Sequence, residues 1–146
     1  MKKTDVFWNE YCSLHQLENV TYKDAFQFGA EPDWLADLVV EGKKTATTSG
    51  HVFYELENEP LPQAGEYSIV LNSCDEPVAI IKIDSVEVLP MDEVSEEFAL
   101  AEGEGDYAFW WEAHENFFKN ELKPYNLEFA PNMIVVCESF TKVFPK

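Results

Sequence analysis

Residues 66–88, EYSIVLNSCDEPVAIIKIDSVEV, hold two apolar runs on either side of a turn-rich segment. Glu66 to Leu71 reads as a strand and Asn72 to Pro77 as a turn. Val78 to Val88 reads as a longer strand, with Ile81, Ile83 and Val86 spaced for pleating. This predicts an antiparallel hairpin, and the pattern around it changes to helical. Upstream, Thr4 to Leu17 places Phe7, Tyr11 and Leu14 at i, i+4 and i+7 behind Thr4 or Asp5 as a cap, predicting a short amphipathic helix. The pattern loosens after Asn19 until Glu31-Pro32-Asp33, where a proline suited to a first turn introduces Trp34, Leu35, Leu38 and Val39 before Gly42. Lys43 to Tyr54, β-branched and small and then aromatic, is expected to form short strands or a strand and a loop. Glu55 to Gly65, with Pro60 and Pro62, is expected to be an exposed connection. Downstream, Met91 to Leu100 predicts a helix capped by Asp92, and Asp106 caps another carrying Trp110, His114, Phe117 and Glu121 on one stripe and Trp111, Phe118 and Leu122 on its neighbour. A last strand runs from Met133 to Phe140. Helices, strands, two helices and a strand, without regular alternation, predict an α+β fold with a mainly antiparallel sheet or small barrel flanked by helices. No Gly-x-Gly-x-x-Gly or Walker-type loop is present.

The chain of 146 residues matches the prior of roughly 100–200 residues for a single domain. Its charge is the unusual feature: 10 Lys+Arg against 28 Asp+Glu give −18, and all the cations are lysines. Arginine, the side chain best suited to clamping phosphate and stacking on bases, is missing, so an extended footprint on duplex DNA or long RNA is disfavoured. A nucleoside in a local pocket is compatible with this charge. Asp5, Asn9 and Glu10 interrupt the start of the chain, so no signal-peptide core is expected. The longest apolar runs, such as Met133 to Cys137, fall far short of the roughly 20 residues of a membrane span. Cys12, Cys74 and Cys137 are odd in number and form no Cys-x-x-Cys pair, which predicts neither disulfides nor a zinc knuckle and points to a reducing cytoplasm. No metal and no cofactor are expected.

Gly42 to Ser49, Gly-Lys-Lys-Thr-Ala-Thr-Thr-Ser, puts two amines beside four hydroxyls in an acidic chain. In a partly dry cleft such an amine acts as a base or stabilises an oxyanion while a neighbouring hydroxyl attacks. The structural alternative is a threonine-rich strand whose lysines solvate its edge. Glu102-Gly103-Glu104-Gly105-Asp106 sets three carboxylates in five residues, and its glycines let the backbone aim one of them sharply. It supplies a general base, a partner for Lys44 or a metal ligand, or else an acidic connection with Asp106 as cap. His114 and Trp110, at helical spacing, line a pocket or pack in the core, while His15 and His51 lack partners at ligand spacing. Trp34, Phe53, Tyr54, Tyr107, Trp110 and Trp111 are aromatics able to stack a base or to fill the core.

With Gly42, Lys44 and Thr47 in a Gly-x-Lys-x-x-Thr pattern, the chain resembles the ASCH domain family. Pro62 to Gly65, the acidic segment 102–106 and the helix from Trp110 to Phe118 follow in the order seen in larger bacterial ASCH proteins, so the resemblance covers about residues 26–141. The predicted helix at 4–17 lies outside it. The resemblance implies a PUA-like β-barrel with a cleft that carries the signature lysine and threonine. It also implies two activities, RNA binding and, in a smaller bacterial branch, hydrolysis of acetylcytidine by a lysine, a threonine and a glutamate. Carried over, the catalytic set is Lys44, Thr47 and Glu104, with Glu102 the other choice of carboxylate. Lys43, Thr45, Ser49, Glu102, Trp110 and His114 are the accompanying ligand-binding candidates. That branch has an arginine two positions after the threonine, where this chain has Ser49. The expected partner is a small nucleoside-like molecule or a short single-stranded RNA. A third reading is an acidic face that recognises a basic protein.

Overall fold

The hairpin at residues 66–88 forms the spine of the sheet. The structure, a computed structural model, describes residues 2–29 and 31–146; Met1, at the head of the amino-terminal lysine pair, and Ala30 lie outside the described residues. Five helices, α1 (Lys3–His15), α2 (Pro32–Val40), α3 (His51–Leu56), α4 (Glu96–Ala101) and α5 (Tyr107–Leu122), surround five strands. The strands are β1 (Asp24–Gln27), β2 (Ala46–Gly50), β3 (Tyr67–Leu71), β4 (Pro77–Pro90) and β5 (Ile134–Phe144), in the spatial order β1-β3-β4-β5-β2. β1 runs parallel to β3 and every other pairing is antiparallel. Register shifts at Ile80/Ile81 and Ile83/Ser85 bend the long β4–β5 ladder. The sheet curls into a half-barrel whose two edges, β1 and β2, are not hydrogen-bonded to each other.

Alternation along the strands distributes the core. Ile69, Leu71, Ile80 and Phe144 pack on Trp8 and Tyr11 of α1. Val70, Ala79, Ile81 and Phe140 point the other way, where Leu35, Leu38 and Val39 of α2 fill one end of the half-barrel. Val135 and Cys137 meet Trp110, Phe118 and Leu122 of α5. The two ends of the half-barrel interior therefore differ, because α2 plugs only one.

Several local expectations are corrected. β1 was not expected: four residues with polar ends carry no usable alternation, and the strand exists through its pairing with Ser68 to Leu71. His51 to Tyr54, expected as strand or loop, begins α3, because Val52 and Phe53 pack against the α5 cluster and tertiary contact overrides their β preference. The helix expected from Met91 starts only at Glu96. Ser95 caps it, accepting from the Phe98 N–H at 3.1 Å, and Met91 to Glu93 form a 3-10 turn instead. The last strand continues to Phe144, and Asp106 caps α5 as expected, accepting from the Phe109 N–H at 2.9 Å. No described helix is long and apolar enough to cross a membrane.

Candidate functional site

The chain leaves α2 through Gly42, whose φ of +79° is the left-handed turn that ends the helix. The N–H groups of Lys43 and Lys44 both return to the Leu38 carbonyl, at 2.9 and 3.0 Å. From there side chains alternate: Lys43 and Thr45 lie outside, and Lys44, Ala46 and Thr48 are buried. Across from this segment runs residues 101–105, tied by Thr45 N–H to the Ala101 carbonyl at 2.9 Å. Gly103 makes that approach possible. Its φ is +76°, and a Cβ there would stand 2.6 Å from the Lys43 carbonyl oxygen, a backbone atom that cannot step aside. Gly103→Ala is expected to lower stability by about 3 kcal/mol, the upper end for a strained residue, read from chemical denaturation. An unchanged midpoint would mean the contact is not a tight one.

Glu102, only 1% exposed, is the centre of the site. Its Oε2 accepts from Thr48 Oγ1 at 2.6 Å and from Trp110 Nε1 at 2.5 Å. Its Oε1 lies 3.3 Å from Lys44 Nζ and 3.4 Å from His114 Nε2. Lys44, 3% exposed, also donates to Glu104 Oε2 at 3.0 Å and to the Glu102 carbonyl at 3.4 Å, and it sits 5.1 Å from the centre of the Phe28 ring. Its three donors are thus all engaged, and Glu104, the more exposed carboxylate, is the partner a ligand can most readily displace.

Burial pushes the Glu102 carboxyl up, but the His114 hydrogen bond and charge, with Lys44 and Thr48, outweigh it and hold the carboxyl down at about 2. For His114 burial works against the charged ring, and the bond and charge of Glu102 with the bond to the Trp110 carbonyl carry its pKa above the ordinary value. Geometry agrees, since Nδ1 donates to the Trp110 carbonyl at 2.8 Å while Nε2 faces the carboxylate, so both ring nitrogens need a proton. The two shifts act in opposite pH windows. A carboxyl held at about 2, below its ordinary 4.5, gives stability that is present above 4.5 and lost as pH falls toward 2. A raised histidine gives stability that is full below 6.5 and is lost as pH rises through its folded value. Thermal melts are expected to decline steeply between pH 4.5 and 2, and Glu102→Gln should flatten that decline; equal slopes would count against the charged hub.

An open cleft of about 680 Å³, mouth included, lies over this hub. Lys44, Thr47, Glu104 and His114 reach it, and Trp34 and Phe109, 42% and 46% exposed, stand with Phe28 and Phe117 as aromatic walls. Thr47 is half-buried, and its hydroxyl has no hydrogen-bond partner among the described residues. Thr48 is different, being committed to Glu102. Of the ligand-binding candidates, Glu102 and His114 line the cleft, while Trp110 lies beneath it as a donor to Glu102. Lys43 and Thr45 are not brought there: alternation turns them outward, Lys43 to Glu41 at 3.4 Å and Thr45 to the Ala101 carbonyl. Ser49 opens on a separate cleft, bonded to the Tyr54 hydroxyl at 2.8 Å. Thr48 was missed, although a period of two from Lys44 leads to it, and so were Phe28 and Gly29, which follow the unexpected β1. Among the described residues no group of three or more His, Cys, Asp and Glu converges as metal ligands would.

The family model of the ASCH domain matches residues 24–144. Protein EF3133 from Enterococcus faecalis V583 has a crystal structure that is 41% identical, with a TM-score of 0.88 over 97% of this chain and 90% of that one. An ASCH domain from Lactobacillus crispatus JV V101 is 34% identical, with a TM-score of 0.90 over 98% of this chain and 95% of that one. ASCH from Zymomonas mobilis, at 10% identity and a TM-score of 0.53 over 82% and 70%, shares the fold alone. No functionally curated protein matches. The signature Gly42, Lys44 and Thr47 runs from the end of α2 into β2 of a PUA-like half-barrel, and the chain belongs to the ASCH domain family.

Proposed function

We propose that the cleft over Glu102 binds a nucleoside- or nucleobase-like ligand in the cytoplasm and hydrolyses the amide of an acylated pyrimidine nucleoside. One observation carries this reading: a buried, fully bonded Lys44 shares one cleft with an unbonded Thr47 hydroxyl and the displaceable Glu104 carboxylate. The walls Trp34 and Phe109 offer a flat base a stacking surface. In the reaction Thr47 Oγ adds to the amide carbonyl carbon, and its proton passes to Glu104. The carbonyl electron pair moves to oxygen, where Lys44, released by the newly neutral Glu104, stabilises it. Collapse breaks the C–N bond, Glu104 protonates the departing nitrogen, and an acyl-threonine remains. Water, deprotonated by Glu104, then releases the carboxylic acid and restores Thr47.

Glu102 and His114 position Lys44 rather than react, because their acceptors and donors are already occupied inside the hub. The cleft walls favour this reading over a grip on an RNA strand, since Glu31, Glu102 and Glu104 line the cleft together with Lys44 and would repel successive phosphates. Incubation with acetylcytidine and chromatographic detection of cytidine is the test. Release above that of Lys44→Ala supports the hydrolase, and equal release removes it.

A further inference from the structure

We propose that the open end of the half-barrel is a second binding site, taking the primary ammonium group of a small alkylamine with Glu138 as its charge partner. The proposal is independent of the hydrolase reading. α2 plugs one end of the barrel interior with Leu35, Leu38 and Val39, but at the other end the inward side chains are polar and enclose a cleft of about 870 Å³, mouth included. Small barrels ordinarily fill such inward positions with packed side chains. Here Glu138 stands directly across the strand pair from Thr47, which lines both clefts.

The Glu138 carboxylate accepts no hydrogen bond and forms no ion pair among the described residues. Lys23, the cation that attracts it, is itself paired with Glu66 at 3.8 Å. A mostly enclosed carboxylate without a donor is costly, and a ligand cation supplies the missing partner. Its neighbours are arranged acceptors. Asp24 is held by Ser68 Oγ at 2.6 Å and keeps a second oxygen free. The Ser49 and Tyr54 hydroxyls bond each other at 2.8 Å, which leaves lone pairs facing the same space. An ammonium is a compact charge with three donors, matching the two carboxylates and the hydroxyl pair that line this one cleft, and it lacks the flat fork of a guanidinium. Phe26 and Phe53 line the same cleft and provide an apolar surface for the alkyl stem.

The pH behaviour of the site follows from its surroundings. Burial raises the Glu138 carboxyl to about 7, opposed by Lys23 and reinforced by Asp24 and Glu66. Tyr54, Glu57 and Glu59, from α3 and the loop after it, complete the titratable groups around this cleft. Because this carboxyl binds its proton more tightly folded than unfolded, it costs stability as pH rises from 4.5 toward 7. Glu138→Gln removes that cost and is expected to keep the fold.

The experiment is a titration of the full chain with n-butylammonium chloride at pH 8.5, followed by NMR, with n-butanol in parallel. Saturable shifts at Ser49, Tyr54, Ser68 and Glu138, absent with butanol and weakened about tenfold or more in Glu138→Gln, support the site. The wild-type chain at pH 5.5 should show the same weakening, with the alkylammonium still charged, so the test does not depend on the variant folding. No saturable shift, equal shifts with butanol, or affinity unchanged by either the variant or the pH would overturn it.

Discussion

Glu102→Ala is expected to lower stability by about 3–5 kcal/mol, the usual cost of removing one member of a buried ionic group, measured by urea denaturation. The variant would leave His114 and Lys44 enclosed without their shared carboxylate, although Lys44 keeps Glu104. It would also strand the Trp110 N–H and the Thr48 hydroxyl, two further donors that now end on Oε2. A loss below about 1 kcal/mol, as for an exposed ion pair, would show that Glu102 is not the hub. Yet a buried ionic group is weak evidence for stability in itself, because apolar residues of similar size often do as well. The hub is better understood as the support of the cleft, holding Lys44 at one position beneath Thr47 and Glu104.

Thr47→Ala is the second large expectation, and its signature is a separation of activity from stability. The Thr47 hydroxyl makes no hydrogen bond among the described residues and the side chain is only half-buried, so the variant should melt within about 0.5 kcal/mol of the parent, as substitutions away from special features do. If its oxygen is the nucleophile, turnover of acetylcytidine should fall by at least about a thousandfold. Thr48→Ala should do the reverse, costing stability through Glu102 while leaving the attacking hydroxyl in place. Comparable loss of turnover in both variants, tracking their stability, would assign Thr47 a structural role.

Much of the fold was legible because its hairpin and longer helices carry strong periodicity: Tyr67–Leu71 and Pro77–Pro90 lie where the apolar runs indicated, and α5 carries its aromatic stripe inward. β1 and α3 were hidden because they are short and owe their form to partners, β3 for one and the α5 cluster for the other. In the site, Lys44 and the acidic segment were visible from charge alone, since two adjacent lysines and three clustered carboxylates stand out in a chain of −18. The division of labour between the glutamates was not. Which of Glu102 and Glu104 is enclosed depends on the turn at Gly103 against the Lys43 carbonyl, a contact between segments about sixty residues apart. Lys43 and Thr45 failed to reach the cleft for the converse reason, a local alternation that the signature motif conceals. The charge that argued against long polyanions has a structural counterpart, because the cleft's one lysine lies among carboxylates.

Calorimetric titration of the Thr47→Ala protein with acetylcytidine tests the central claim most directly, since it separates recognition from turnover. Saturable binding to one site per chain, weakened by about 1–3 kcal/mol when Trp34→Ala is added as for loss of a stacked base, is the predicted result. Heats indistinguishable from dilution, in a folded protein, would contradict the assignment of this cleft to a nucleoside.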